Sequence, residues 1–186
     1  MSNNTDIPSH DPALHGIDKV LFLDIDGVLN GLDNMYSRLL SWRLNPTKFK
    51  SRDEFGELFD ERCVRWLEYI ITKTGCKIVL SSSWRSSGLN HMQLMWEMRD
   101  LPGEIISITP LDINQDIVNL YAATNNEADR GYEIQEWIDV HKPVKYCIVD
   151  DHGDMLSHQK FVRTNGDIGL DKKTAHSIIA ILNSTI

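Results

Sequence analysis

The stretch that decides the fold is Val20-Leu-Phe-Leu-Asp-Ile-Asp-Gly-Val-Leu-Asn30. Its first four residues form a short apolar run that stops at Asp24, a pattern typical of a strand buried on both faces of a sheet. Asp24 and Asp26 follow at the end of this strand, and Gly27 permits a tight turn beside them. The two carboxylates can therefore converge on one space as the chain leaves the strand.

Two further apolar runs end in polar residues in the same way. Lys77-Ile-Val-Leu80 leads into Ser81, and Tyr146-Cys-Ile-Val149 leads into Asp150 and Asp151. In a parallel sheet the carboxyl ends of the strands lie along one edge, where ligands bind. We therefore expect these polar residues to meet the Asp24 segment at one site.

Helical patterns alternate with the strands and predict an α/β fold with a Rossmann-like parallel sheet flanked by helices. The predicted helices begin after Asp60 and end at Gly75, run through Ile134 and Ile138 to a stop before Pro143, and run from Ala175 to Leu182 with Asp171 as N-cap. Weaker strand candidates are 104–108 and 160–163.

Three segments fall outside this alternation. Residues 1–16 are polar and are expected to form a flexible or loosely docked tail ahead of one domain, 17–186. Residues 31–59 have the mixed composition of a small cap over the site, and residues 109–129 are interpreted as a rim insert. Loops of this length inside a compact domain are usually functional or flexible.

Composition restricts the class of protein. The 186 residues carry a formal net charge of −8, which predicts no extended nucleic-acid-binding surface but leaves room for a nucleotide or a nucleic-acid end. The three cysteines lack metal-site spacing and are expected to be buried free thiols. No signal peptide and no membrane-spanning run is present, so we expect a cytoplasmic protein without a membrane partner.

The Asp24 segment resembles motif I of the haloacid dehalogenase (HAD) superfamily, D-x-D-G-[TV]-[LV]. A pair of acids by itself often merely caps a strand-to-helix turn, but here it follows an apolar strand and continues as D-G-V-L-N. The resemblance implies a HAD-type fold in which Asp24 attacks phosphorus to form an aspartyl-phosphate. It also implies that Asp26 protonates the leaving oxygen and later deprotonates the attacking water.

A divalent cation is expected because two carboxylates and a phosphoryl group repel one another, and Mg²⁺ suits an all-oxygen site. The resemblance implies the Asp24 side chain and the Asp26 backbone carbonyl as ligands. Asp150 and Asp151 resemble motif IV, in which one carboxylate binds the metal directly and the other binds through water. We expect the direct contact from Asp151. An acidic loop with no site behind it is the alternative.

The string Leu80-Ser-Ser-Ser-Trp-Arg85 resembles motif II, with Ser81 hydrogen-bonding the phosphoryl oxygen. Ser82 is a second candidate for substrate contact, although Ser82 or Ser83 capping the next helix is the simpler interpretation. Arg85 could clamp phosphate or form a surface salt bridge. Trp84 could stack on a base, but we favour packing under the cap.

Arg130 resembles motif III, a basic residue at a helix start that neutralises the nucleophile and the phosphate together. Lys is the commoner residue at this position, so Arg is a departure from the pattern. Lys142 and Lys145 lie at the wrong end of the predicted helix.

Shorter strings, L-S-S-S-W-R, R-G-x-E-I-x-x-W and D-D-H-G-D-M, are similar to HAD domains associated with RNA-repair proteins and to the 3′-phosphatase domain of phage-type polynucleotide kinases. They imply a phosphomonoesterase for a nucleotide or a nucleic-acid 3′-phosphate end. The alternatives are a phosphatase for small metabolites such as sugar phosphates, or a catalytically silent HAD-fold binding module. A narrow closed pocket would favour metabolites, whereas an open groove with Arg85 and Trp84 exposed would favour polynucleotide ends.

Overall fold

The computed structural model describes residues 12–45, 47, 50–112 and 129–185, and its centre is a five-stranded parallel sheet. The strands, in chain order, are β1 (Lys19–Leu23), β2 (Arg52–Asp53), β3 (Gly56–Glu57), β4 (Lys77–Leu80), β5 (Ile105–Ile108), β6 (Lys145–Asp150) and β7 (Phe161–Arg163). The main sheet has the order β5-β4-β1-β6-β7, and β2 and β3 form a separate antiparallel hairpin. The predicted α/β class and parallel sheet are confirmed, including both weaker strand candidates.

The main helices are α1 (Leu32–Leu44), α2 (Glu61–Thr74), α3 (Leu89–Met98), α4 (Asp129–His141) and α5 (Lys172–Leu182). The predicted boundary residues are confirmed. The Asp60 side chain accepts a hydrogen bond from Arg62 N at the start of α2, and Gly75 ends that helix in the left-handed conformation with φ 66°. Asp171 begins α5 with a capping box, in which its carboxylate accepts from Thr174 N at 2.8 Å and the Thr174 hydroxyl accepts from Asp171 N at 3.0 Å.

The core lies on both faces of the sheet, and β1 runs through its middle. Val20 and Phe22 point towards α4, where the Phe22 and Trp137 rings meet edge to face with centroids 5.3 Å apart. Leu21 and Leu23 point to the opposite side and pack with the apolar residues of α2, α3 and α5. Full burial of each such side chain contributes about 1.5–3 kcal/mol to stability, so the strand that precedes Asp24 is among the most firmly held in the fold.

Residues 31–59, the predicted cap, contain α1 and the β2–β3 hairpin. No residue of α1 is buried, and its exposed side chains include Tyr36 and Leu40. The hairpin is tied to the end of α3 by an ion pair, with Arg99 Nη2 2.6 Å from Asp53 Oδ1, and this contact holds the pKa of Asp53 below its usual range. The described part of the segment therefore contains an exposed helix and a hairpin fixed to α3, and its role as a cap stays a prediction.

The other two segments are described in part. Residues 12–14 form a 3-10 turn, and Gly16 N donates to His141 O at 2.8 Å; residues 1–11 lie outside the described chain. Thr109, which we assigned to the rim insert, is 1% exposed and donates from its backbone N to Leu80 O at 2.9 Å. It therefore continues the sheet, while residues 113–128 of the predicted insert are not among those described.

Candidate active site

Backbone hydrogen bonds bring three expected site residues to neighbouring positions at the carboxyl edge of the sheet. Asp24 N donates to Val149 O at 3.1 Å, which sets Asp24 beside Asp150. Ser81 N donates to Leu23 O at 3.0 Å, which sets Ser81 on the other side of Asp24. The site is therefore built by extending the β4–β1–β6 pairing one residue past the end of the strands.

Asp24 is buried and faces the guanidinium of Arg130. It is 6% exposed, and its Oδ1 lies 3.5 Å from Arg130 Nη1. Burial raises the pKa of Asp24, while the Arg130 charge and a hydrogen bond from the Ser82 side chain oppose that rise. The arginine thus favours the ionised form that a nucleophile requires.

Asp26 is exposed and is held from one side by an indole. Trp84 Nε1 donates to Asp26 Oδ2 at 2.9 Å, and the Trp84 ring packs edge to face against Phe59 with centroids 5.7 Å apart. A Cβ on Gly56, in the β2–β3 hairpin, would stand 3.3 Å from Trp84 Cη2. The predicted packing of Trp84 under residues 31–59 is confirmed, and the bond to Asp26 was not foreseen.

Ser81 and Ser82 have different surroundings. Both are fully buried, but the Ser81 hydroxyl has no hydrogen-bond partner among the residues that the structure describes, so it is available to a ligand. The Ser82 side chain accepts from Trp84 N at 3.4 Å and caps the short 3-10 helix Ser83–Ser87. The capping interpretation of Ser82 is confirmed, and the helix that we expected after the strand is this 3-10 turn.

Arg85 requires a correction. We expected either a phosphate clamp or a surface salt bridge, but Arg85 is 4% exposed and its ion pair with Glu133 is buried. Its guanidinium donates to four backbone oxygens, those of Ser81 (3.1 Å), Ser82 (2.8 Å), Thr109 (3.2 Å) and Pro110 (3.1 Å). With its donors occupied in this way, Arg85 ties the Ser81 loop to the end of β5, and a phosphate clamp at this residue has no geometric support.

Glu133 is a site residue that the sequence interpretation missed. Its Oε2 lies 2.6 Å from Arg85 Nη2 and 3.8 Å from Arg130 Nε. Burial raises the pKa of Glu133, against the lowering effect of both arginines. The carboxylate thus links buried Arg85 to Arg130, and Arg130 faces Asp24. The spacing in R-G-x-E, one helical turn, was the signal that could have revealed this pair.

Asp150 and Asp151 point into different surroundings. Asp150 is 1% exposed; its Oδ1 accepts from His152 N at 2.8 Å, and its Oδ2 has no partner among the described residues. The Asp151 carboxylate lies between two glycines, since a Cβ on Gly27 would stand 2.3 Å from its Cγ and one on Gly166 2.5 Å from its Oδ2. The geometry therefore favours Asp150 as the direct metal ligand, opposite to our expectation.

The residues fit a hard divalent cation. Burial and the charge of Asp24 raise the pKa of Asp150 to about 7, so the two carboxylates repel each other across a poorly solvated space. A cation between them would relieve this repulsion and would occupy the unpartnered Asp150 Oδ2. The ligand atoms of Asp150, Asp151 and His152 lie within 4.8 Å of one another, but the His152 side chain is 78% exposed, which makes it the weakest of the three donors.

Comparison with known proteins identifies the family to which the chain belongs. A family model described as "HAD domain in Swiss Army Knife RNA repair proteins" matches residues 20–175. Searches among curated proteins and among solved structures found no match. The matched span runs from β1 into the first turn of α5, so it contains all the expected site residues. Within the described part of the chain, no helix has both the length and the apolar character needed to cross a bilayer.

Proposed function

The chain belongs to the family of HAD domains in Swiss Army Knife RNA repair proteins, and from this premise we propose that it is a Mg²⁺-dependent phosphomonoesterase for nucleic-acid ends. The observation that carries the proposal is the meeting of Asp24, Ser81, Arg130 and Asp150 at one edge of the sheet. Phosphoryl transfer needs positioned groups that bind the phosphoryl oxygens and offset their charge. The site supplies a buried carboxylate beside an arginine, an unpartnered hydroxyl and a second carboxylate.

In the first step, an oxygen of Asp24 attacks phosphorus while the bond from phosphorus to the leaving oxygen breaks. Asp26 gives its proton to that oxygen, so the leaving group departs as an alcohol. Trp84 holds the Asp26 carboxylate by its 2.9 Å hydrogen bond, which limits the directions in which the proton can be delivered. The product of this step is an aspartyl-phosphate on Asp24.

In the second step, Asp26 takes a proton from water, and the water oxygen attacks the same phosphorus. The bond from Asp24 to phosphorus breaks, inorganic phosphate leaves, and both carboxylates return to their starting states. The Ser81 hydroxyl is free to donate to a phosphoryl oxygen in both steps, and Arg130 offsets the added negative charge.

Mg²⁺ would be held by the Asp24 and Asp150 side chains and the Asp26 backbone carbonyl, with Asp151 acting through water. When bound, such an ion offsets the charge of the phosphoryl group and of the carboxylates around it. The side chains of the protein itself bind and orient the substrate and transfer the protons.

The substrate class is proposed from the family and from the shape of the surface beside Asp26. An open pocket lies next to Trp84, and openness favours a polynucleotide end over a small metabolite. The sequence criterion was an open groove at the site with Arg85 and Trp84 both exposed. Trp84 is half-buried and Arg85 is buried, and the pocket is not lined by Asp24, so this criterion is not met. The substrate class therefore rests chiefly on the family. A cytoplasmic location is part of the proposal, because all three cysteines are buried free thiols, as suits a reducing compartment.

Phosphate release tests the proposal. The full chain with Mg²⁺ is expected to remove phosphate from a 3′-phosphorylated oligonucleotide faster than from a panel of sugar phosphates. Asp24→Asn should abolish the release, while Asp18→Asn, at an exposed carboxylate away from the site, should not. Chelation should stop the reaction, and added Mg²⁺ should restore it. Full activity of Asp24→Asn would refute the mechanism, and faster release from the metabolites would refute the substrate class.

A further inference from the structure

An open pocket of about 500 Å³ adjoins the candidate site, between the β2–β3 hairpin, the 3-10 helix Ser83–Ser87 and α3. Three of the lining side chains carry rings, namely Phe55, Trp84 and His91. Met92 and Met95, each 1% exposed, also line it and contribute polarisable thioethers that contact rings favourably. Arg52 and Glu57 also line it and pair with each other at 3.3 Å. The rings and thioethers of the pocket therefore offer a ring-binding surface beside a predicted phosphate site.

Trp84 belongs to both sites. Its Nε1 donates to Asp26 Oδ2 at 2.9 Å, while its six-membered ring lies against Gly56 in the pocket wall. The pocket therefore lies one indole length away from the carboxylate of Asp26, which we propose as the proton donor. A leaving group that carries a ring one sugar away from its phosphate matches this separation.

The lining suits a flat ring with polar edges. The Phe55 and His91 rings have centroids 5.4 Å apart at an interplanar angle of 65°, and such faces accept a further ring by offset stacking or edge contact. Ser83, Ser86 and Ser87 also line the pocket, and each hydroxyl can both donate and accept hydrogen bonds. Hydroxyls that serve either role tolerate different arrangements of donors and acceptors on the edge of the ring.

We infer that this pocket is the subsite for the base of the terminal nucleotide whose phosphate lies at Asp24. The inference rests on the proposed function and adds how the nucleotide is recognised. With a formal net charge of −8, the chain gains little from general attraction to polynucleotide phosphates. Stacking of one base, which is tolerant of sequence, supplies affinity at the end of the strand, whereas a sugar phosphate has no aromatic ring to stack.

The test compares two 3′-phosphorylated oligonucleotides that are identical except that the last nucleotide of one lacks its base. With the wild-type chain and Mg²⁺, loss of the base should raise KM by roughly tenfold or more, the size of one base stack. His91→Ala should reduce this preference for the base. His176→Ala removes an exposed histidine on α5 and should retain it. Equal KM values for the two oligonucleotides would overturn the inference while leaving the phosphatase proposal intact.

A binding measurement separates failure of the subsite from failure of the proposed function. Adenosine 3′-monophosphate should shift the NMR resonances of the Phe55 and His91 rings, whereas inorganic phosphate should leave them unchanged. If neither oligonucleotide loses phosphate and this difference is seen, the phosphatase proposal fails and the ring-binding pocket stands. If the nucleotide and inorganic phosphate give the same resonances at both rings, the subsite does not exist.

Discussion

Replacing Asp150 by Asn should stabilise the metal-free protein, and the gain should grow as the pH rises. Asp150 is 1% exposed, and burial together with the charge of Asp24 raises its pKa from an ordinary 3.8 to about 7. A carboxyl group with a raised pKa holds its proton more tightly in the folded chain than in the unfolded chain. The folded state therefore loses stability as the pH rises from the unfolded pKa to the folded pKa.

The size of the effect follows from these pKa values. A rise from 3.8 to about 7 corresponds to roughly 4 kcal/mol of destabilisation above pH 7. Within that window the free energy of unfolding should fall by about 1.4 kcal/mol for each pH unit. Asparagine has no proton to lose, so the advantage of Asp150→Asn over wild type should increase by roughly 2.5 kcal/mol between pH 5 and pH 8.

The assay is urea unfolding followed by circular dichroism at several pH values in the presence of a chelator. Asp18→Asn, at an exposed carboxylate, controls for the loss of one negative charge. At pH 8, added Mg²⁺ should stabilise the wild-type chain by binding the folded state and should do much less for Asp150→Asn. A stability difference that is constant from pH 5 to pH 8, or a variant less stable than wild type at pH 8, would refute the reasoning.

Three other substitutions test separate parts of the structure. Glu133→Gln leaves buried Arg85 without its anion and loosens Arg130, which faces the proposed nucleophile Asp24. The kcat for phosphate release should therefore fall roughly tenfold to a hundredfold with a smaller change in KM; an unchanged kcat would contradict the role assigned to the ion-pair network. Gly27→Ala should lower the melting temperature much more than Gly75→Ala, because both glycines have positive φ but only at Gly27 would a Cβ meet a carboxylate, that of Asp151. Equal losses would show that backbone strain alone matters. Asp171→Ala removes the capping box of α5 and should cost about 1 kcal/mol in urea unfolding, and no loss would mean that packing alone sets the start of the helix.

Much of the fold was predictable because its signals are local. The apolar run before Asp24 predicts a strand buried on two faces. Because successive side chains of a strand point to opposite sides, alternate residues of this run pack against α2 and α4. Gly75 and Asp171 end and begin helices through bonds within a few residues, so the sequence alone identifies them. The edge of the sheet that carries the chemistry is predictable for the same reason, since parallel strands deliver their carboxyl ends together.

The rest of the site depends on partners far along the chain. Arg85 follows three serines in a string that could equally lie on a surface, and it becomes buried because Thr109, Pro110 and Glu133 surround it. Glu133 itself reads as an ordinary polar residue of a helix. The R-G-x-E spacing indicates only the pair with Arg130. The contacts of Arg85 arise from the packing of β5 and α4 against the Ser81 loop, and no local pattern predicts them.

The sequence could not decide between Asp150 and Asp151 as the direct metal ligand for a related reason. Adjacent residues at the end of a strand point to opposite sides, so register decides which carboxylate faces Asp24. That register is fixed by the pairing of β6 with β1 and by the gap that Gly27 and Gly166 leave for the Asp151 side chain. Matching the residue types of a motif does not show in which direction each carboxylate points.

The central place of β1 also governs how the chain can mature on the ribosome. β1 pairs on one side with β4 and on the other with β6, and β6 is synthesised only after β4, β5 and α4. Until then the nascent chain carries β1 with one bare edge, whose unpaired N–H and C=O groups invite pairing with other chains. Release of β6 closes this edge and sets Asp150 beside Asp24 in the same event. A nascent chain that stops short of β6 would therefore be aggregation-prone and would lack Asp150, a proposed metal ligand.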